Sequence, residues 1–156
     1  MADTDSEDLF GFGNAKAPAG MRNTSTGGVL EAMIVPSLRL GGYSCQMQTL
    51  IGCRPGGRAH KVDAIAEKNG SQILISLKWQ QVNGTAEQKV PFEVICLAEA
   101  IKCGQYKKAY LVLGGEGWTL RDYFVGGGLN AHLVHADKVR IVTLEKFVGL
   151  ANQGAL

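Results

Sequence analysis

The spacing of apolar positions separates the predicted helices of this chain from its predicted strands. Apolar residues recur at helical spacing in 29–40 and 86–102, and helical patterns also occur at 120–124 and 144–151. Short apolar runs bounded by glycine or by Asn-Gly are typical of strands, and they occur at 43–51, 59–67, 72–81, 109–115 and 139–143. The predicted order is therefore αβββαβαβα. Pro36 is expected to end or kink the first helix near Val35.

The first 25 residues show no periodic spacing of apolar residues. They are rich in Gly, Ala, Asp, Ser, Thr and Asn, and they predict a flexible acidic arm ahead of a single domain over residues 26–156. Four acidic residues in this arm face only two basic ones. The whole chain has a net charge of +2, and the rest carries 14 basic against 10 acidic side chains, a net of +4. The predicted domain is therefore mildly basic.

The hydrophobic content bounds the class of protein. At 46% of 156 residues it is enough for one domain with a core. No apolar stretch approaches the roughly 20 residues that a membrane span requires. The N-terminus is acidic, where a signal peptide would be basic and then apolar. We therefore expect an intracellular protein without a membrane partner.

A carboxylate and a lysine on neighbouring predicted strands carry the strongest chemical signal. Asp63 lies in the strand predicted at 59–67, and Lys78 interrupts the apolar run of the next strand. This combination can hold a divalent metal beside an attacking water. An unpaired ammonium in the centre of a sheet is costly, so carboxylates are expected near Lys78. The pair predicts phosphodiester hydrolysis.

The pair and the element order together resemble the PD-(D/E)xK, or restriction-endonuclease-like, nuclease superfamily over residues 27–150. The resemblance implies an α/β fold with a small mixed central β-sheet flanked by helices. Asp63 matches the first acid of the motif and Lys78 its lysine. Val62 stands where a proline often precedes the first acid. Ser76 stands where the family usually has Asp or Glu two residues before the lysine.

The resemblance implies that another carboxylate replaces the acid missing at Ser76. Glu93, on the helix that follows Lys78, is the preferred candidate, and Glu87 at the start of that helix is the rival. Glu31 matches a carboxylate that the first helix of the superfamily often supplies, although an exposed helical glutamate explains it equally well. Gln80 is predicted on the strand face of Lys78, where it would contact the scissile strand or finish the sheet edge.

The implied cofactor is Mg²⁺ or Mn²⁺, because these cations prefer oxygen ligands. The expected ligands are Asp63, the main-chain carbonyl of Leu77 and the helix carboxylate, Glu93 or Glu87. Lys78 would orient the attacking water and offset the charge that builds on the phosphorane oxygens. Neither role requires Lys78 to act as a base.

Candidate DNA contacts lie mainly around the glycine-rich segment R-P-G-G-R, which leads into the strand of Asp63. Such a basic segment can approach a phosphate backbone closely. His60 is a candidate for DNA contact beside Asp63, with packing as the alternative. The predicted DNA-binding residues are Arg54, Arg58, His60, Lys61, Lys89 and Arg121.

These observations predict a metal-dependent DNA endonuclease, of the site-specific restriction or homing type. Its expected substrate is double-stranded DNA, cut by a homodimer or higher homo-oligomer in the cytoplasm, in association with the nucleoid. A Holliday-junction or other structure-selective nuclease is the first alternative. The second is a catalytically inactive nuclease-fold DNA-binding protein, for which the acid missing at Ser76 would mark lost catalysis.

Overall fold

The structure is a computed structural model and describes residues 26–156. The predicted arm of residues 1–25 lies outside this range. No helix of the described residues is long and apolar enough to cross a membrane. The helices are α1 (Thr26–Val29), α2 (Val35–Leu40), α3 (Ala86–Lys102), α4 (Arg121–Val125) and α5 (Leu144–Asn152). The strands are β1 (Ser44–Cys53), β2 (Ala59–Lys68), β3 (Ser71–Trp79), β4 (Lys108–Gly114) and β5 (Val139–Thr143).

The five strands form one mixed sheet in the order β1-β2-β3-β4-β5. β1, β2 and β3 are antiparallel neighbours, as expected of strands joined by tight turns. β3, β4 and β5 are parallel, and the longer connections between them contain α3 and α4. The predicted element order and the small mixed sheet flanked by helices are confirmed. The protein has an α/β fold.

Each face of the sheet is covered by its own hydrophobic core. On one face Leu74 and Leu111 pack with Leu97 of α3. On the other face Tyr110 packs against Phe147 of α5 edge to face, with ring centroids 5.5 Å apart. Because β3 and β4 are covered on both faces, their sequences are nearly continuous apolar runs. A polar residue in these strands therefore requires a partner.

Pro36 does not end the first helix, contrary to one of the two outcomes expected from its position. α2 runs through it to Leu40, and a wider π-helical turn, Leu30–Ile34, comes directly before α2. In this turn the N–H of Val35 donates to the carbonyl of Leu30, five residues back. Proline lacks an N–H and crowds the carbonyl four residues back in a regular helix. The wider turn lies where that crowding would occur.

The hairpin of β1 and β2 rotates part-way along its length. Residues of the same parity share one face of a regular strand. Cys45 packs on the α5 face of the sheet, whereas Ile51 packs on the α3 face. On β2, Ala64 packs on the α5 face and Val62 on the α3 face. The two faces of the hairpin therefore exchange between these positions, at Asp63.

Candidate active site

Asp63 lies at the point where β2 separates from β3. The residue pairs between the two strands end at Ala64 and Ile75. Beyond that pair, the N–H of Leu77 donates to the Asp63 carboxylate oxygen Oδ2 at 2.6 Å. The carboxylate therefore takes the place of a strand partner. The rotation of the hairpin at this position brings the Asp63 side chain to the edge of β3.

Glu93 reaches the same region from α3. Its Oε1 accepts a hydrogen bond of 2.8 Å from the hydroxyl of Ser76. Both side chains are well buried, with Glu93 8% and Ser76 2% exposed. Ser76 occupies the motif position where the acid is missing, and its hydroxyl holds the acid that comes from the helix. The buried serine thus has the partner that its environment requires.

Lys78 completes a group of three charged residues. Its Nζ lies 3.9 Å from Oε2 of Glu93. Lys78 is two residues beyond Ser76 and therefore lies on the same face of β3. Its side chain is 28% exposed, against 11% for that of Glu93. The ammonium is thus partly solvated and faces a buried carboxylate, which lowers the cost of a lysine within an apolar strand.

The two carboxyl groups have opposite pKa shifts. Burial raises the pKa of Asp63 above 3.8, and the nearby negative charge of Glu93 adds to it. The Leu77 hydrogen bond and the charge of Lys78 oppose this shift without cancelling it. Burial also acts to raise the pKa of Glu93, but His60, Lys78 and Ser76 outweigh it and hold that pKa below 4.5. Glu93 is therefore the more readily ionised of the two.

These side chains open into a cleft of about 480 Å³ between the hairpin, the end of β3 and α3. Its rim carries Arg54, Lys61 and Lys89, three of the predicted DNA contacts. An anionic ligand would meet positive charge on the hairpin and on α3. The lining residues are Thr26, Gly27, Gln48, Arg54, Lys61, Asp63, Ser76, Leu77, Lys78, Trp79, Ala86, Lys89 and Glu93.

Sequence comparison identifies the family to which this arrangement belongs. The sequence model of the PD-(D/E)XK nuclease superfamily domain matches residues 22–155, nearly the whole chain. The chain belongs to the PD-(D/E)XK nuclease superfamily. The resemblance inferred from Asp63, Lys78 and the element order is confirmed. No curated protein sequence matches the chain.

Two solved structures are similar to this PD-(D/E)XK domain at low sequence identity. One is a protein of unknown function, AF1548, with a TM-score of 0.46 and 8% identity over 70% of this chain. The other is R.BspD6I2, the small subunit of the heterodimeric restriction endonuclease R.BspD6I, with a TM-score of 0.41 and 18% identity over 74% of this chain. The chain spans 54% and 61% of the lengths of these two proteins.

Glu87, the rival for the second acid of the PD-(D/E)XK motif, has other partners. Its carboxylate accepts hydrogen bonds from the N–H and the hydroxyl of Thr119 and from the N–H of Leu120. These bonds tie the start of α3 to the segment before α4 and lower the pKa of Glu87. Glu87 does not line the cleft. The structure brings Glu93, not Glu87, to Asp63 and Lys78.

Gln80 does not lie at the rim of the cleft, contrary to its predicted position. It is 5% exposed. Its Nε2 donates to the carbonyl of Gly117 at 2.7 Å, and its Oε1 accepts the N–H of Ala86 at 3.0 Å. The amide therefore satisfies the first N–H of α3 and connects it to a neighbouring loop. This role holds the start of α3, and burial keeps the Gln80 amide away from the surface that DNA would contact.

His60 lies below the surface, as the packing alternative for this residue describes. It is 2% exposed, and its Nε2 has no hydrogen-bond partner within residues 26–156. That nitrogen lies 3.9 Å from Oε1 of Glu93, which is longer than a hydrogen bond. Its position on β2 is on the α3 side of the rotated hairpin. His60 therefore lies behind Glu93, where it packs and also acts to lower the pKa of that carboxyl.

Three further predicted residues lie outside the cleft lining. Glu31 is exposed in the π-helical turn, one helical turn beyond the cleft residue Gly27. Arg58 is exposed at the end of the hairpin turn, where its carbonyl accepts the N–H of Arg54. Arg121 is partly exposed at the start of α4. The structure does not bring these three side chains to Asp63.

The donor set suits a hard cation that retains water ligands. No group of three or more His, Cys, Asp or Glu side chains in residues 26–156 could hold a metal ion. Asp63 and Glu93 nevertheless supply two carboxylates to one cleft. The carbonyl of a strand residue points to the same edge as its N–H, so the Leu77 carbonyl lies on the edge of β3 where Asp63 binds. Mg²⁺ typically binds through one or two carboxylates and several waters, so these residues fit it.

One residue of the cleft, Gln48, had no signal in the sequence. It lies in β1 opposite Asp63 and has a φ of +50°. Glutamine has no particular preference for this backbone region, and Q-M-Q-T resembles any exposed strand. The role of Ser76 had a usable signal, since a serine inside an apolar run needs a hydrogen-bond partner.

Proposed function

We propose that this PD-(D/E)XK domain is a metal-dependent DNA endonuclease that hydrolyses phosphodiester bonds. The observation that carries the proposal is the convergence of Asp63, Glu93 and Lys78 where β2 and β3 separate. Glu93 supplies the acid that the motif lacks at Ser76. This arrangement favours an active nuclease over an inactive DNA-binding relative.

The proposed metal ligands are Asp63, Glu93 and the main-chain carbonyl of Leu77, and the proposed ion is Mg²⁺ or Mn²⁺. Such an ion lowers the pKa of a bound water and neutralises charge on the phosphate oxygens. Ser76 holds Oε1 of Glu93, which leaves Oε2 on the side of Lys78. The low pKa of Glu93 favours the ionised form that a ligand must have.

The proposed role of Lys78 is to act on the reacting phosphate rather than to maintain the fold. Its ammonium is partly exposed in the cleft and lies on the same strand as the Leu77 carbonyl. From there it donates hydrogen bonds to the attacking water and to a non-bridging phosphate oxygen. Positive charge at these oxygens stabilises the transition state more than the ground state.

The cations on the cleft rim suit the phosphates that flank the scissile bond. Lys61 and Lys89 are exposed on the hairpin and on α3. The Nε of Arg54 is buried and has no hydrogen-bond partner within the described residues. The residue as a whole is only half-buried and lines the cleft, so its guanidinium can bind a phosphate oxygen through charge-assisted bonds. Contacts of this kind position DNA without reading its sequence.

We further propose that residues 26–156 act as a single nuclease domain on double-stranded DNA. A homodimer or higher homo-oligomer would present two such clefts to the two strands, because two-fold DNA symmetry matches a two-fold protein. Site-specific cleavage of the restriction or homing type is the proposed mode. With this substrate the protein would work in the cytoplasm, in association with the nucleoid.

Cleavage assays test the proposal and separate its alternatives. Purified full-length protein is incubated with supercoiled plasmid and with a synthetic four-way junction, each with Mg²⁺, with Mn²⁺ and with EDTA. Discrete linear fragments that require metal support site-specific cleavage, whereas cleavage of the junction alone supports a structure-selective nuclease. Metal-independent binding without cleavage, by a protein that also fails to bind Mn²⁺, would overturn the proposal.

A further inference from the structure

Gln48 has a backbone conformation that is unusual for a residue in the middle of a strand. Its φ is +50°, and β1 continues on both sides of it. Only two other non-glycine residues of the described range have positive φ, Asn69 and His135. Asn69 lies in an Asn-Gly turn, where this conformation is common. Gln48 is in neither a turn nor a loop, so its conformation requires another explanation.

The unusual backbone coincides with the rotation of the hairpin. The pairs on either side, Met47 with Ala64 and Thr49 with Val62, keep one register, so no extra residue is inserted. Gln48 therefore faces Asp63 directly. The faces of both strands exchange across this position. The left-handed residue thus marks the pivot that turns Asp63 away from regular strand pairing and towards Leu77.

The side chain of Gln48 is directed to the same site. Gln48 lines the cleft together with Asp63 and Lys78. The Gln48 side chain also acts to lower the pKa of Asp63, against the larger effect of burial. Glycine would adopt a positive φ without the steric cost that a Cβ brings. A glutamine at this pivot is therefore explained best by a need for its side chain.

We propose that Gln48 is a positioning residue for Asp63, with its left-handed backbone setting the pivot of the hairpin and its amide orienting the carboxylate for metal binding. This inference rests on the proposed function, because it assigns Asp63 as a metal ligand. Side chains that hydrogen-bond to a ligating carboxylate typically change metal affinity by about 10- to 100-fold when removed. A residue of positive φ without this role could be replaced by glycine with no loss of metal affinity.

The test compares Mn²⁺ affinity and thermal stability in the full-length protein. The variants are Gln48→Ala, which keeps the backbone strain and loses the amide, and Gln48→Gly, which loses both. Gln46→Ala and Gln46→Gly are matched controls, since Gln46 is exposed on β1 and does not line the cleft. Calorimetric titration with Mn²⁺ measures affinity, and the unfolding midpoint Tm measures stability.

We expect both Gln48 variants to bind Mn²⁺ about tenfold or more weakly than wild type, and both Gln46 variants to bind like wild type. Gln48→Gly should have a higher Tm than Gln48→Ala, whereas Gln46→Gly should have a lower Tm than Gln46→Ala. Normal Mn²⁺ affinity in Gln48→Gly would overturn the inference alone. Wild-type protein that binds no Mn²⁺ would overturn the proposed function, and the role of Gln48 with it.

Discussion

The two halves of β3 differ in how they are paired and in what they carry. Residues 71–75 pair with β2 on one side, and from Ile73 onward β3 also pairs with β4. Residues 76–79 keep the β4 ladder, while β2 separates from them. The first half contributes Ile73, Leu74 and Ile75 to the cores, and the second contributes Ser76 and Lys78 to the cleft. The first half of β3 thus mainly supports the fold, and the second half also carries residues of the candidate site.

The difference shows how a small domain can place charged groups beside a rigid core. Residues 71–75, which pair with β2, fix the direction of the strand. In residues 76–79 the N–H of Leu77 has no partner on β2, and the Asp63 carboxylate accepts it instead. Site residues supported by a packed strand and a packed helix are held more accurately than residues on loops. Substitutions of Ser76 and Lys78 should therefore affect catalysis, and those of Ile73, Leu74 and Ile75 should affect stability.

Asp63→Asn should have the largest effect on cleavage. Asparagine keeps an oxygen acceptor for the Leu77 N–H but loses the charge that a metal ligand needs. We expect metal-dependent plasmid cleavage to fall by at least about a hundredfold. Thermal unfolding serves as the control for folding. Cleavage at the wild-type rate by a folded Asp63→Asn protein would remove Asp63 from the site.

Glu93→Gln and Glu87→Gln form a matched pair on one helix. Loss of the Glu93 charge should lower Mn²⁺ affinity and cleavage by about 10- to 100-fold, because it removes a ligand and leaves Lys78 without its carboxylate. Glu87→Gln should leave cleavage within about twofold of wild type, since its partners are Thr119 and Leu120. Plasmid cleavage at several Mn²⁺ concentrations distinguishes them. The reverse result would make Glu87 the second acid.

Ser76→Ala tests the hydrogen bond that holds Glu93. We expect the Mn²⁺ concentration for half-maximal cleavage to rise about tenfold, because the acid keeps its charge but loses its orientation. The rate at saturating Mn²⁺ should change less. An equal fall in rate at every Mn²⁺ concentration would show that Ser76 acts on the chemical step instead.

Asp63 and Glu93 should affect stability in opposite directions as pH changes. The raised pKa of Asp63 means that the folded state binds its proton more tightly than the unfolded state does. Asp63→Asn should therefore gain stability over wild type as pH rises from 3.8 through the raised pKa. The lowered pKa of Glu93 makes Glu93→Gln less stable than wild type above pH 4.5, and this deficit should shrink as pH falls through that lowered pKa.

Denaturant unfolding of both variants across pH 3 to 8 measures these differences. The measurement is made without added metal, since a bound metal would change both pKa values. If the free energies of unfolding of the two variants, each relative to wild type, changed with pH in the same direction, the opposite pKa shifts of Asp63 and Glu93 would be contradicted.

Ile75→Val should have the smallest effect on cleavage. Ile75 is fully buried in the half of β3 that pairs with β2. Removal of one methylene group should lower the free energy of unfolding by about 0.5–1.5 kcal/mol. The cleavage rate at a temperature where the variant is folded should match that of wild type. A loss comparable to that of Ser76→Ala would show that the two halves of β3 are not separable.

Much of the fold and part of the candidate site follow from local sequence. The apolar periods predicted the element order, and the lysine within an apolar strand indicated a nearby carboxylate. The choice between Glu93 and Glu87 depends on tertiary contacts, because Glu87 accepts hydrogen bonds from Thr119 and Leu120 whereas Glu93 accepts one from Ser76. The left-handed backbone of Gln48 and the burial of His60 depend on the rotation of the hairpin. A single sequence does not show such long-range geometry.

The most direct test of the proposed metal site is the position of Mn²⁺ in crystals of the wild-type protein, located by anomalous scattering. We expect a metal ion bonded to the carboxylates of Asp63 and Glu93 and to the carbonyl of Leu77, at about 2 Å from the oxygens. Lys78 should lie beside a metal-bound water. An ion bound by Glu87, or Mn²⁺ bound elsewhere on the protein with Asp63 and Glu93 free, would contradict the proposed site.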